Sequence, residues 1–248
     1  MQQRALTGAV LAIALLLFAG LGIAFLLAPT GSPSNNGTDA PAAATWAPAA
    51  SPPVIAATAT GPGVAGQVDA EWLATTAERT GIPVRALAAY AGVALEKASA
   101  MPSCGLSWNT LAAIGFAESR HGSHEGSSLG ADGTVTPGIV GVALAGGDTE
   151  HVADSDGGAI DGDADYDRAV GPMQLIPQTW RNWHVDASGD GVEDPQNIDD
   201  ATLATANYLC RASGDMTTES GWRAGIAAYN GAESYMRAVA SAGVEYGR

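Results

Sequence analysis

The chain has 248 residues, with 26 acidic side chains against 11 Lys and Arg, a formal net charge of −15. That length accommodates one or two domains, and the charge argues against a nucleic-acid binder, which needs a basic face to neutralise phosphates. Only Cys104 and Cys210 are present, too few for a structural zinc site, and no Cys stands beside His121 or His124 to complete one.

From Ala5 to Ala28 no residue is charged. At about 1.5 Å per residue, such a helix can cross a bilayer core of about 30 Å. Arg4 precedes the run and no basic residue follows until Arg79, so the positive-inside rule places the rest of the chain outside the cytoplasm. The run is longer than a signal-peptide core of about 7–15 residues, which favours a retained membrane anchor over residues 1–28. A cleaved signal would export the same domain as a secreted protein. Residues 29–68 are rich in Pro, Ala, Ser, Thr and Gly, with Asp39 their only charge. They lack periodic apolar positions and read as a disordered, flexible linker.

A single exported domain is expected over residues 69–248. Asp69 can cap a helix running through Glu71 to about Thr80, closed by Gly81, and Pro83 suits the start of a helix over Val84–Ala100. In an oxidising compartment Cys104 and Cys210 form one disulfide by default. Closing so long a loop contributes about 4–5 kcal/mol in the chain-entropy model; two buried free thiols are the alternative. Ser107 can cap the next helix, on which Trp108, Leu111, Ile114 and Glu118 share a face. Ala112, Ala113 and Phe116 cover the opposite side, and a helix apolar nearly all round is normally buried. Glu118 therefore stands in the last turn where a hydrophobe is expected, with Gly122 as a stop signal. Desolvation raises a carboxyl pKa, the condition a general acid needs near neutral pH. The plainer reading is a buried glutamate bonded to Arg120 or to a backbone donor.

Ser123 to Asp167 is Gly- and Asp-rich with little periodicity, an insertion of a length that tends to be functional. Short apolar runs between Val135 and Leu144 are compatible with a small sheet or hairpin. Gly171-Pro172 then forms a rigid turn that displays Gln174, whose amide both donates and accepts and so suits sugar hydroxyl and acetamido groups. Otherwise Gln174 stitches a loop to the following helix. Helical patterns resume over Pro177–Trp183, Asp199–Ala212, Glu219–Tyr229 and Ala232–Glu245, and no internal repeat is evident. The whole reads as a mainly α single domain with one long insertion.

Asp186-Ala187-Ser188-Gly189-Asp190-Gly191-Val192-Glu193-Asp194-Pro195-Gln196-Asn197 follows a twelve-residue calcium loop. Side-chain oxygens of Asp186, Ser188, Asp190 and Asp194, the Val192 carbonyl and Asn197 are the expected ligands of a structural calcium ion, with Asn197 a weak substitute for the usual bidentate Glu. A hydrated turn without metal is the alternative. The Asp161/Asp163/Asp165/Asp167 run is a poorer metal candidate, lacking Gly at the sixth place. Near the end, Tyr229-Asn230-Gly231 suits a tight turn between two helices, and on a functional reading puts a phenol and an amide at the mouth of a groove.

Three pieces in order carry a resemblance: Glu118-Ser119-Arg120-His121-Gly122; Gly171-Pro172-Met173-Gln174 with Pro177 and Thr179-Trp180; and Ala228-Tyr229-Asn230-Gly231. From about Cys104 onward the chain resembles the lytic murein transglycosylases, in particular the membrane-bound lytic transglycosylase B family and its actinobacterial-type relatives. The stretch from Asp154 through Asp161 to Arg168 is similar to the same group, and Leu175 stands where Phe is commoner. The resemblance implies a lysozyme-like fold of the goose-lysozyme and soluble lytic transglycosylase kind. It implies cleavage of the β-1,4 bond between N-acetylmuramic acid and N-acetylglucosamine in peptidoglycan, leaving 1,6-anhydromuramyl ends, with no cofactor needed for the chemistry. Glu118 maps onto the single catalytic acid/base, and Gln174, Tyr229 and Asn230 onto substrate-binding positions, with Ser119 beside the catalytic residue. Trp180, Trp183 and Tyr235 are candidates to stack on sugars or, more plainly, to pack in the core. Rival readings are a muramidase on the same scaffold, with Asp132 or Asp165 as a second carboxylate, and a non-catalytic murein-binding scaffold.

Overall fold

The computed structural model describes residues 44–147 and 149–248. The expected anchor over residues 1–28 lies outside them, as does the linker up to residue 43; among the described residues no helix is long and apolar enough to cross a membrane. The described chain is mainly helical: α1 (Ala70–Thr80), α2 (Val84–Ala100), α3 (Trp108–Ser119), α4 (Pro177–Trp183), α5 (Ile198–Ser213), α6 (Glu219–Tyr229) and α7 (Glu233–Tyr246). Four short strands belong to the insertion and its exit: β1 (Ser128–Leu129), β2 (Val135–Thr136), β3 (Val140–Ala143) and β4 (Arg168–Val170).

Local signals account for most helix boundaries. The Asp69 carboxylate accepts from the Trp72 amide, and Gly81 ends α1 in the left-handed region at φ 71°. Pro83 occupies the cap position of α2 rather than its first helical residue. Thr218 caps α6 through the Gly221 amide. α3 is the centre of the core, packed against α2 and α7, with Trp108, Leu111, Ala112, Ala113 and Ile114 buried beside Leu87, Tyr90, Trp222 and Val239. Phe116 departs from the buried cylinder expected of α3: it is 37% exposed, with the Arg120 guanidinium over its ring.

The linker reading needs correction over residues 44–68, which lie along the domain as a strap. Asn109, fully buried, donates to the carbonyls of Pro48 and Gly243 (both 2.9 Å) and accepts from the Ala50 amide (3.1 Å). Trp108 Nε1 donates to the Ser51 carbonyl (3.0 Å), and Arg223 to that of Thr45 (3.1 Å). Ser107 does not cap α3; its hydroxyl accepts from the Ala50 amide (3.3 Å) instead. Further on, the Val64 carbonyl crosses α2 at Gly92, where an added Cβ would come within 2.2 Å of it. The strap has no signature in the sequence because it is held by backbone groups bonded to side chains of the domain, not by a periodic apolar face of its own.

The insertion is partly ordered by pairing. β1 pairs antiparallel with β2, and β3 with β4. Arg85 on α2 pairs with the buried Asp199 and donates to the carbonyls of Ala131 and Asp132, fastening the β1–β2 turn to the helices. The Cys104–Cys210 disulfide is formed, with Cα atoms 5.3 Å apart across a separation of 106 residues.

Asn109→Ala should destabilise the domain by about 2–4 kcal/mol, since it deletes the side chain's four hydrogen bonds, to Ala50, Ser107, Pro48 and Gly243, and leaves backbone groups unpaired. Denaturant unfolding of the variant beside wild type measures the loss; equal stabilities would mean that the strap is not seated on α3.

Candidate active site

The end of α3 builds one wall of the site. Arg120 (φ 50°), His121 (φ 62°) and Gly122 (φ 82°) are consecutive left-handed residues, so the chain turns sharply just after Glu118. For the two non-glycines this is an uncommon conformation, and tertiary bonds hold it. Ser119, 1% exposed, donates its hydroxyl to the Pro172 carbonyl (2.6 Å) and accepts from the Gly122 amide (2.8 Å). His121 is buried, its Nδ1 3.1 Å from the Tyr90 hydroxyl and its Nε2 3.2 Å from that of Tyr246. Burial pushes this imidazole down to about 4, so it is neutral at physiological pH.

These contacts frame a groove of about 680 Å³ between the end of α3 and the β3 wall. Glu118 lies in it with Arg120, Glu125, Val140, Val142 and Gln174 among the lining residues. Protein surrounds the Glu118 carboxyl although it retains some exposure to the groove, and burial raises it to about 8. Its partner is neither Arg120 nor a backbone donor. The Tyr235 hydroxyl, near the start of α7, donates to Glu118 Oε1 at 2.5 Å, a bond to the charged form that acts against burial. Burial wins, and the acid is protonated at neutral pH.

The other expected site residues divide. Gln174 lines the groove from a left-handed backbone (φ 49°). Its Nε2 donates to the Gly171 carbonyl (3.0 Å), and a Cβ added at Gly141 opposite would fall 2.9 Å from Gln174 Oε1, so the amide would have to shift. Tyr229 is not at the groove mouth. It is fully buried, donates its hydroxyl to the Met173 carbonyl, and stacks on Tyr235 with centroids 6.5 Å apart and planes 15° from parallel. Asn230 is also buried and accepts from the Ala232 amide (3.0 Å) at the α6–α7 turn. Tyr229 and Asn230 thus support the site from behind, because the α6–α7 turn points their side chains inward. Leu175 and Trp180 are core residues, and Trp183 packs partly buried against the core. Neither Asp132 nor Asp165 lines the groove; the second carboxylate that does is the exposed Glu125. Tyr235, read from sequence only as a stacking or packing residue, is the main addition. Its role depends on α7 lying against α3, which no local pattern reveals.

The Asp186–Asn197 loop lies elsewhere, against the strap at Gly63. Asp186 accepts from the amides of Gly189 (2.7 Å) and Gly191 (2.8 Å) and from the Ser188 hydroxyl (3.1 Å). Asn197 is not a closing ligand: its Oδ1 caps α5 through the Asp199 amide (2.9 Å) and its Nδ2 donates to the Asp132 carbonyl. The buried Asp200 closes the loop instead, accepting from the amides of Ala187, Ser188 and Asp194. The Asp161–Asp167 run does not act as one set either. Asp163 pairs with Arg168 (2.8 Å), while Asp167 joins Asp154 and Asp156, with oxygens within 4.8 Å of one another, and bonds Ser155.

Residues 162–229 match the family model described as a Transglycosylase SLT domain. The match covers the Gly171–Gln174 turn and α4 to α6 and stops short of both Glu118 and Tyr235, which the fold delivers to the same groove. No curated protein and no solved structure matches the chain. The matched domain defines a peptidoglycan lytic transglycosylase, an enzyme that binds peptidoglycan and breaks its glycosidic bonds in a lyase-type reaction.

Two pH effects follow from the raised Glu118. As a general acid it works protonated, so kcat/KM should fall as pH rises through about 8, and Tyr235→Phe, which removes a donor favouring the carboxylate, should move that limb to higher pH. A pH–rate profile unchanged by Tyr235→Phe would refute the pairing. The folded pKa is also above the unfolded value, so the folded state holds the extra proton between them. Stability should therefore decline from about pH 4.5 to about 8, and Glu118→Gln should be free of that decline. Melting temperatures of the two proteins at about pH 5 and about pH 9 should diverge at the alkaline end.

Proposed function

We propose that the enzyme cleaves the β-1,4 bond between N-acetylmuramic acid and N-acetylglucosamine and leaves 1,6-anhydromuramyl ends. The observation that carries this reading is that, among the described residues, the single enclosed carboxyl in the groove is Glu118, half-buried and held by Tyr235. Glu118 gives its proton to the leaving O4 of N-acetylglucosamine as the C1–O4 bond breaks. The resulting carboxylate takes the proton of the muramyl 6-hydroxyl while O6 bonds to C1. One proton leaves Glu118 and one returns, and no water is consumed. The substrate's acetamido group is suited to stabilise the cation between the two events, which removes the need for a second carboxylate. Glu125 is the groove's other carboxylate, but it is exposed and 3.5 Å from His124, not enclosed as a base for water.

The 6-hydroxyl also has the advantage of proximity, with effective molarities up to about 10⁵–10⁸ M for well-oriented groups. Digestion of peptidoglycan in ¹⁸O-water tests this. Anhydro ends lacking label are expected; label on new reducing muramyl ends would turn the reading to a muramidase. Glu118→Gln should lower cleavage by roughly 10²–10⁴-fold with strand binding retained, since it removes only a transferable proton. A binding scaffold predicts no cleavage by either form.

The setting we propose is the cell envelope, with residues 1–28 anchoring the chain in the membrane, the domain outside the cytoplasm, and cell-wall remodelling as the role. We also propose a structural calcium ion in the Asp186 loop, with Asp186, Ser188, Asp190, Asp194 and the Val192 carbonyl as donors and without Asn197. Millimolar calcium should raise the melting temperature of the exported domain, and Asp190→Ala should abolish the gain; identical melting with calcium and with chelator would exclude the ion.

A further inference from the structure

The charged or titratable side chains lining the groove are Glu118, Arg120, His124, Glu125 and Arg168. Four have partners in the fold. Glu118 is bonded by Tyr235, His124 lies beside Glu125, and Arg168 is paired with Asp163 and donates to the Gly141 carbonyl (3.2 Å). Arg120 is different. Among the described residues its guanidinium has no ion pair, and it rests with Cζ 5.2 Å above the centre of the Phe116 ring. Its backbone is fixed by the left-handed turn and by the bond from its amide to the Phe116 carbonyl (3.1 Å). The result is a preorganised cation in a groove of a chain whose net charge is −15.

The cleavage reading above, on which this inference rests, says which ligand such a cation meets. A glycan strand of N-acetylated sugars is neutral along its backbone. Its charge is carried by the lactyl group on O3 of each muramyl residue, or by whatever is attached to that group. The muramyl ring with C1 at Glu118 therefore brings an anion into the groove from the same ring. Arg120 stands two residues beyond Glu118 on the wall of that groove. A planar guanidinium fork matches a carboxylate with two parallel hydrogen bonds.

We propose that Arg120 is a specificity residue that binds a carboxylate of the muramyl O3 substituent at the cleavage site. Two sources share this chemistry: the lactyl carboxylate itself, free on strands stripped of peptide, and the carboxylates of an attached stem peptide.

Three substrates separate the sources: stem-bearing strands, stripped strands with free lactyl carboxylates, and stripped strands whose lactyl carboxyl is converted to the neutral methylamide. For wild type, kcat/KM on at least one anionic strand should exceed that on the neutral strand by roughly tenfold, mainly through KM, as a charge-assisted pair at a partly open site permits. Which anionic strand shows the excess identifies the source. Arg120→Ala should bring the ratio to about one, Arg120→Lys should retain part of it, and added salt should reduce it in wild type. Equilibrium binding of the same strands to Glu118→Gln and to Glu118→Gln/Arg120→Ala reads the same ratio without turnover. Melting temperatures near wild type confirm that the variants fold. A ratio that survives in Arg120→Ala, or a loss of equal factor on all three strands, overturns the proposal. Absence of cleavage by wild type on every strand overturns the cleavage reading instead, and the binding ratio still decides the role of Arg120.

Discussion

Keeping a carboxyl group protonated at neutral pH requires removing it from water without supplying a cation, and the fold is arranged around that requirement at Glu118. Helix α3 runs through the centre of the core and stops immediately after this residue, so the acid is carried by the best-packed element yet opens on a groove. The one polar partner is a phenol, Tyr235, which orients the carboxyl while exerting a weaker pull than a basic side chain would. The nearest arginine in sequence, Arg120, is turned away by a left-handed backbone and lies over Phe116. Had Arg120 folded back onto Glu118, the ion pair would hold the carboxylate ionised and the acid would be lost.

The second wall is brought to the first by small, rigid contacts. Ser119 ties the end of α3 to the Pro172 carbonyl, and Gly171 lies so close to Pro195 that an added Cβ would fall 1.8 Å from its carbonyl oxygen. Gln174 is thereby presented from a strained, fully determined backbone. Buried Tyr229 extends the same logic from behind. It bonds Met173 on one side and stacks on Tyr235 on the other, so the turn bearing Gln174 and the phenol on Glu118 share a support.

Much of this was legible in the sequence because it is local. The cap at Asp69, the stop at Gly81 and the apolar periodicity of α3 depend on neighbours within a turn or two. Glu118 stood out for the same reason, as a carboxylate on an apolar face. What escaped depends on partners far away in the chain. Tyr229 and Asn230 belong to a recognisable turn, but which way their side chains point is decided by α6 packing on α5 and by Met173. Asn197 matches a position in a calcium loop, yet the start of α5 needs its oxygen as a cap, and the buried Asp200 takes over the loop's amides. The strap shows no periodic apolar pattern in the sequence because backbone groups, at Thr45, Pro48, Ala50 and Ser51, make its bonds to the domain.

The strap also bears on distance. With residues 44–68 fastened along the domain, the stretch between the proposed anchor, ending at residue 28, and the first described residue is the fifteen residues 29–43. An extended chain covers at most about 3.3–3.6 Å per residue, so such a leash sets an outer limit of roughly 50 Å between the membrane surface and Ala44. A linker free as far as residue 68 would have more than doubled that radius. The strap thus moves the point where any tether must attach: a chain anchored as proposed would be held at Ala44, not at residue 68.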